Sequence, residues 1–119
     1  MKDSPLRNKS LDFAVRVVQV SRTLREEKRE FALADQFLRS GTSIGANVHE
    51  ANYASSKADF INKFQIALKE CYETDYWLEI FHESHVISDE QYKESVVQCS
   101  KIRKLLVASI KTAKGNSEN

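Results

Sequence analysis

The sequence predicts an all-α fold, an up-down-up-down antiparallel four-helix bundle, and three observations point there. The first is the stretch from Phe60 to Phe81, in which Phe60, Phe64, Ala67, Cys71, Thr74, Leu78 and Phe81 recur at alternating spacings of four and three residues, the period of one stripe along an α-helix. A strand register would instead put Lys63, Gln65, Lys69, Glu73 and Asp75 on the face that carries Cys71 and Phe81. The second is the scarcity of turn chemistry: one proline, Pro5, and three glycines, Gly41, Gly45 and Gly115, do not supply the frequent turns of an all-β chain. The third is that the periodic segments are joined by short polar links, which make successive helices antiparallel neighbours.

With 119 residues, 41% hydrophobic and 29% charged, the chain is read as one domain over 1–119, large enough to bury a core without staples. Residues 1 to 9 read as a frayed tail, with Ser10 as N-cap and Asp12 in the first turn of helix one, about 10–26. Its seam is Phe13, Val17, Val20 and Leu24, with Leu11, Ala14 and Val18 beside it. The β-branched valines weaken helix preference, so packing must hold this segment helical.

A charged corner, Arg25 to Glu30, leads into helix two, about 31–52, with Phe37, Gly41, Ile44, Val48 and Ala51 on its seam. Gly41 and Gly45 each cost about 1 kcal/mol against alanine inside a helix, which implies a compensating close contact. Trp77 or a helix-three tyrosine is the expected occupant of that groove. Beside the seam runs a polar stripe of Arg39, Ser43, Asn47 and Glu50. If helices two and three form a hairpin turning near Ala54 and Ser55, facing residue numbers sum to about 109, which pairs Arg39 with Glu70. Arg39, Ser43, Asn47, Glu70 and Glu73 are therefore expected to form a polar network across that interface.

Ser56 caps helix three, about 57–84, with Asp59 three residues on. Ile61, Leu68, Tyr72, Tyr76, Trp77 and Ile80 widen its apolar surface beyond the seam, so it reads as the central helix with several partners. Ser88 and Gln91 form a capping box for helix four, about 89–112, whose inner stripe is Tyr92, Val96, Cys99, Ile102, Leu106 and Ile110. The polar run after Ala113 reads as a disordered tail.

Reaction chemistry is absent from the pattern. No phosphate-cradling glycine loop, nucleophile elbow, or Cys and His cluster with zinc spacing occurs. Glu79 and His82 have one E-x-x-H spacing, where a di-iron bundle needs two such motifs and two further glutamates. No catalytic, cofactor-binding or metal residue is therefore assigned, no cofactor is implied, and the chain is read as a non-enzyme. Cys71 and Cys99 fall on apolar stripes, as reduced small hydrophobes. Without a signal peptide or a membrane-length apolar run, the expected location is the cytoplasm.

Net charge is +1, but it is unevenly placed: +3 over residues 1–30, −1 over 31–56, −5 over 57–90 and +4 over 91–119. Adjacent first and last helices would share an electropositive side.

The run RSGTSIGANVHEA, Arg39 to Ala51, followed by SKADFINKFQIALKECYETDYWL, Ser56 to Leu78, resembles the four-helix-bundle family of proteins encoded within intervening sequences of 23S rRNA genes. The resemblance covers nearly the whole chain, with Arg39, Ser43, Ile44, Asn47 and Glu50 on the first motif and Asp59-Phe60 opening the second. His49 departs from the alanine or acidic residue common there. The resemblance implies a ring-shaped homopentamer, and a ribosomal name given by genomic context. Through a related branch, the accessory variability protein of diversity-generating retroelements, it also implies RNA or DNA binding. Arg16, Arg22, Lys101, Arg103, Lys104 and Lys111 are then the expected phosphate contacts. The alternative is a homo-oligomeric protein-protein adaptor that binds no nucleic acid and uses its aromatic residues as anchors.

Overall fold

The computed structural model describes residues 4–118 and contains four α-helices: α1 Pro5–Glu26, α2 Phe31–Ala51, α3 Lys57–Glu83 and α4 Asp89–Glu118. Each packs against its two neighbours in the cycle α1, α2, α3, α4, with the α1/α4 seam the sparsest, and the whole measures 51 × 23 × 21 Å. The architecture is the four-helix bundle that the apolar periods predict. One expectation is corrected: α3 is not a central helix, because α1 lies diagonally across the core without a close backbone approach to it. Of its extra apolar residues, Ile61, Leu68 and Trp77 pack partly buried against the core, while Tyr72 and Tyr76 are more than half exposed. The longest helix is α4, at 30 residues.

The seams fill the core as their spacing requires. Phe13, Val17 and Leu24 of α1, Phe37, Ile44 and Val48 of α2, Phe64, Cys71, Leu78 and Phe81 of α3, and Cys99, Ile102 and Leu106 of α4 are buried. Phe37 and Phe81 meet edge to face at 5.4 Å across the α2/α3 seam. Thr74 Oγ1 and Ser40 Oγ, both buried, lie 2.9 Å apart there, while the Thr74 hydroxyl is also 2.7 Å from the Glu70 carbonyl of its own helix. The cysteines are free, and Cys99 Sγ donates to the Cys71 carbonyl at 3.6 Å. The neighbouring Cys71 and burial both push the Cys99 thiol up, so it stays protonated.

Helix ends show where local chemistry sets the boundaries. The first helix begins five residues earlier than Ser10: Ser4 is the N-cap, its Oγ accepting from Arg7 N at 3.0 Å, and Pro5 opens the helix with a fixed φ and no N–H to satisfy. Ser10 is buried inside α1 and donates to the Arg7 carbonyl. At the other end α4 continues to Glu118, beyond the expected end near 112, because Gly115 does not stop it. Its start has the reciprocal capping box, Gln91 N to Ser88 Oγ and Ser88 N to Gln91 Oε1, each 3.1 Å. In α3 the box is displaced by one residue, since Asp59 Oδ2 accepts from Ser55 N rather than from the cap residue.

Two connections use a left-handed residue that is not glycine: Arg29 at φ 60° and His85 at φ 63°. His85 closes α3 with the pair of bonds that defines a Schellman motif, His85 N to the His82 carbonyl and Val86 N to the Phe81 carbonyl, at 3.1 and 3.0 Å. Arg29 makes the α1/α2 corner, and its guanidinium and that of Arg25 lie 5.2 and 5.3 Å from the Phe31 ring centre.

The glycines have a different partner from the one expected. A Cβ on Gly41 would lie 2.7 Å from a methyl of Val17, and one on Gly45 would lie 3.3 Å from the Ser10 carbonyl oxygen. They fit α2 against α1, not against Trp77. Trp77 sits on the other flank of the hairpin, its indole N–H donating to Glu73 Oε2 at 3.0 Å.

Candidate nucleic-acid interface

Ion pairs decide which basic side chains are free. Arg16 reaches Glu94 at 3.0 Å, Arg25 reaches Asp35, Arg103 reaches Asp75 Oδ2 at 3.1 Å, and Lys63 reaches Glu50 at 3.6 Å. Arg39 bridges Glu70 at 3.2 Å and Glu73, so the two carboxylates and the Trp77 indole share one network along the α2/α3 flank. Ser43 and Asn47 do not cross that interface as expected. Ser43 Oγ donates to the Arg39 carbonyl at 2.7 Å and Asn47 Nδ2 to the Ser43 carbonyl at 2.9 Å, both one turn back on their own helix, where a short polar side chain finds its nearest acceptor.

The six expected phosphate contacts divide. Arg16 and Arg103 are half-buried and already ion-paired, Arg103 also donating to Ser100 Oγ at 3.3 Å and lying 5.9 Å from the Tyr72 ring centre. Arg22 is exposed, on the line of α1 that continues Leu11, Val15 and Val18. That line borders α2, since Leu11 and Ala14 line a groove with Thr42, Gly45 and Ala46, so Arg22 stands apart from the α4 cations. Lys101, Lys104 and Lys111 are exposed on α4 and form no ion pair among the described residues.

Lys93 and Lys114 are equally exposed and form no ion pair among the described residues, and they belong to the same surface though they lie outside the expected set. Spacing marks Lys93: it precedes Lys104 by three helical turns, and Lys104 precedes Lys111 by two, which puts all three on one line. Lys101 leans toward α1, sharing a small groove with Lys9, Asp12 and Gln98. Lys111 and Lys114 border α3, around a groove of about 460 Å³ with Leu68, Val107 and Ile110. The exposed Glu79 and Glu83 lie toward the C-terminal end of α3, away from Lys104 and Lys111.

Burial pushes the Asp75 carboxyl up, opposed by the Cys99 thiol and by Arg103, and its buried Oδ1 accepts no hydrogen bond among the described residues. His82 stacks on Tyr92 at 4.1 Å and its ring nitrogen meets Asp89 at 2.7 Å, so it points away from Glu79 chemistry. No group of three His, Cys, Asp or Glu side chains among the described residues is placed to hold a metal ion. No helix among them is long and apolar enough to cross a membrane.

Comparison with known proteins gives a consistent answer. A family model described as 23S rRNA-intervening sequence protein matches residues 2–108. A solved structure of a protein of unknown function from the S23 ribosomal protein family of Bacteroides thetaiotaomicron VPI-5482 superposes with a TM-score of 0.90 and 51% identity, over 93% of this chain and 99% of that one. No curated protein matches the chain.

Proposed function

The chain belongs to the 23S rRNA-intervening sequence protein family, and from that membership we propose a non-enzymatic, self-associating bundle that holds nucleic acid by its phosphates. The carrying observation is the set of exposed lysines on α4, Lys93, Lys101, Lys104, Lys111 and Lys114, which form no ion pair among the described residues, beside an α3 whose Glu70, Glu73 and Asp75 are already taken by arginines. Lysine ammonium groups on flexible stems contact phosphates as point charges and read no base edge, so the binding is sequence-independent. It is the activity that the resemblance to the retroelement accessory proteins implies.

Self-association is supported by a separate face. Leu11 and Val15 on α1 are 51% and 49% exposed, beside the groove of about 290 Å³ lined by Ala14, Thr42, Gly45 and Ala46. Apolar knobs next to a small-residue groove, edged by Arg7 and His49, suit a second copy of the chain, and a pentameric ring is the assembly that the resemblance implies. The same face supports the adaptor reading, in which the oligomer presents a protein-binding surface and the lysines are only solvated.

Light scattering followed by a salt titration of binding to a structured RNA tests the proposal. The logarithm of the association constant is expected to fall linearly with the logarithm of salt, and reversing Lys104 and Lys111 to glutamate to abolish binding without changing the mass. Binding that ignores both salt and the two reversals would leave only the adaptor.

A further inference from the structure

We propose that the nucleic acid held at this surface is single-stranded, with its bases stacked on Tyr72 and Tyr76; this rests on reading the α4 lysines as phosphate contacts. The two tyrosines are 55% and 58% exposed, so both rings are within reach of a ligand from solvent. They stand one helical turn apart on α3, about 6 Å along its axis, on the same side of the helix.

Each ring is backed from within and open outward. Arg103 lies 5.9 Å from the Tyr72 ring centre, and it is itself fixed by Asp75 and Ser100 at 3.1 and 3.3 Å. Tyr76 leans on the Trp77 ring at 5.6 Å, and the Trp77 indole is tied to Glu73. The shelf is thus built before any ligand arrives, which limits the ordering cost of binding. Cations lie on one side of it, Lys69 three residues before Tyr72 on α3 and Lys104 and Lys111 on α4, while the exposed Glu79 and Glu83 bound it beyond Tyr76, so a strand's phosphates would run from Tyr72 toward Lys69, Lys104 and Lys111. Aromatic rings beside lysines are what an unstacked strand needs, since every base has a π-face and every phosphate a charge. A duplex keeps its bases within its own stack, so it gains from the lysines and not from the tyrosines.

The measurement is fluorescence anisotropy of the full chain with a labelled thymidine oligonucleotide and with a duplex of equal length. The expected result is tighter binding of the single strand. Tyr72→Ala with Tyr76→Ala should lose about tenfold or more on the single strand, leave the duplex unchanged and leave the salt slope intact. Tyr72→Phe with Tyr76→Phe should retain binding, because stacking needs the ring and not the hydroxyl. Equal binding of both forms with silent alanine variants would overturn the shelf while leaving the phosphate reading in place. Alanine variants that lower the mass in light scattering and weaken both forms alike would make Tyr72 and Tyr76 a subunit interface instead. Binding of neither form would remove both readings together.

Discussion

Replacing Gly41 by alanine tests how α1 and α2 are fitted, because two opposing effects can be weighed from the coordinates. In a helix interior the change should stabilise by about 1 kcal/mol, through reduced freedom of the unfolded chain. The added Cβ, however, would lie 2.7 and 2.8 Å from the two methyls of Val17 and 3.2 Å from its Cβ. Carbon atoms rest at about 3.5 to 4.0 Å. Valine in a helix has one strongly preferred rotamer, and rotation would not move its Cβ, so the relief must come from displacement of α1. Overpacking of this kind costs about 1–3 kcal/mol, which outweighs the propensity gain and leaves a net loss of up to about 2 kcal/mol. Val17→Ala alone removes two fully buried methyls and costs about 2 kcal/mol. In the double variant the new methyl occupies the space vacated, so the loss should fall short of the sum by about 1–3 kcal/mol. Urea titration followed by the emission of Trp77, the single tryptophan, at fixed protein concentration reads all three. A Gly41→Ala protein that is more stable than the parent, with additive effects in the double variant, would refute the proposed α1/α2 fit.

Two further predictions concern the α3/α4 side. His85 holds a left-handed conformation where glycine is the customary residue, so His85→Gly should raise stability by about 0.5–1 kcal/mol and His85→Val should lower it, read by the same titration. The Asp75 carboxyl is pushed up by burial, so the folded chain binds its proton more tightly than the unfolded chain. Its contribution to stability is full below the unfolded pKa and is lost as pH rises through the folded one. Asp75→Asn does not titrate, so unfolding of the two proteins as pH rises from below the ordinary aspartate value through the raised folded one should show the balance moving toward the variant, then level off. A constant difference across that range would mean the carboxyl is solvated.

The helices and their core stripes could be read from the sequence because each is written locally, in the spacing of Phe13, Val17 and Leu24 or of Phe64, Cys71 and Leu78. The partners of those stripes required register, and register was read for one hairpin only. Turning the chain near Ala54 places Arg39 opposite Glu70, as found. The same arithmetic about the Lys28 and Arg29 corner would have placed Val17 against Gly41, but without a glycine or proline that corner had no defined centre. The early start of α1 was written in Ser4-Pro5, a cap followed by a helix-opening proline, with Leu6 one heptad before Phe13. The sorting of the basic residues was not legible at all. Whether Arg16 and Arg103 face solvent depends on Glu94 and Asp75 of other segments, and only the packed helices bring those within reach.

That sorting explains how a chain of net charge +1 presents a cationic face. Four of the ion-paired cations are arginines, whose planar forks can hold a carboxylate and lie on a ring at once, as Arg103 does with Asp75 and Tyr72. They take up Asp35, Glu70, Glu73, Asp75 and Glu94, and the lysines of α4 form no ion pair among the described residues. What a phosphate meets at α4 is then set by distance more than by the total. The bundle is 23 × 21 Å in cross-section, so charges on its far side lie more than two screening lengths away at the roughly 8 Å of physiological salt. The field at Lys104 and Lys111 is therefore set by α4 and its neighbours, and on α3 Glu70, Glu73 and Asp75 are held by arginines while the exposed Glu79 and Glu83 lie toward the other end of the helix.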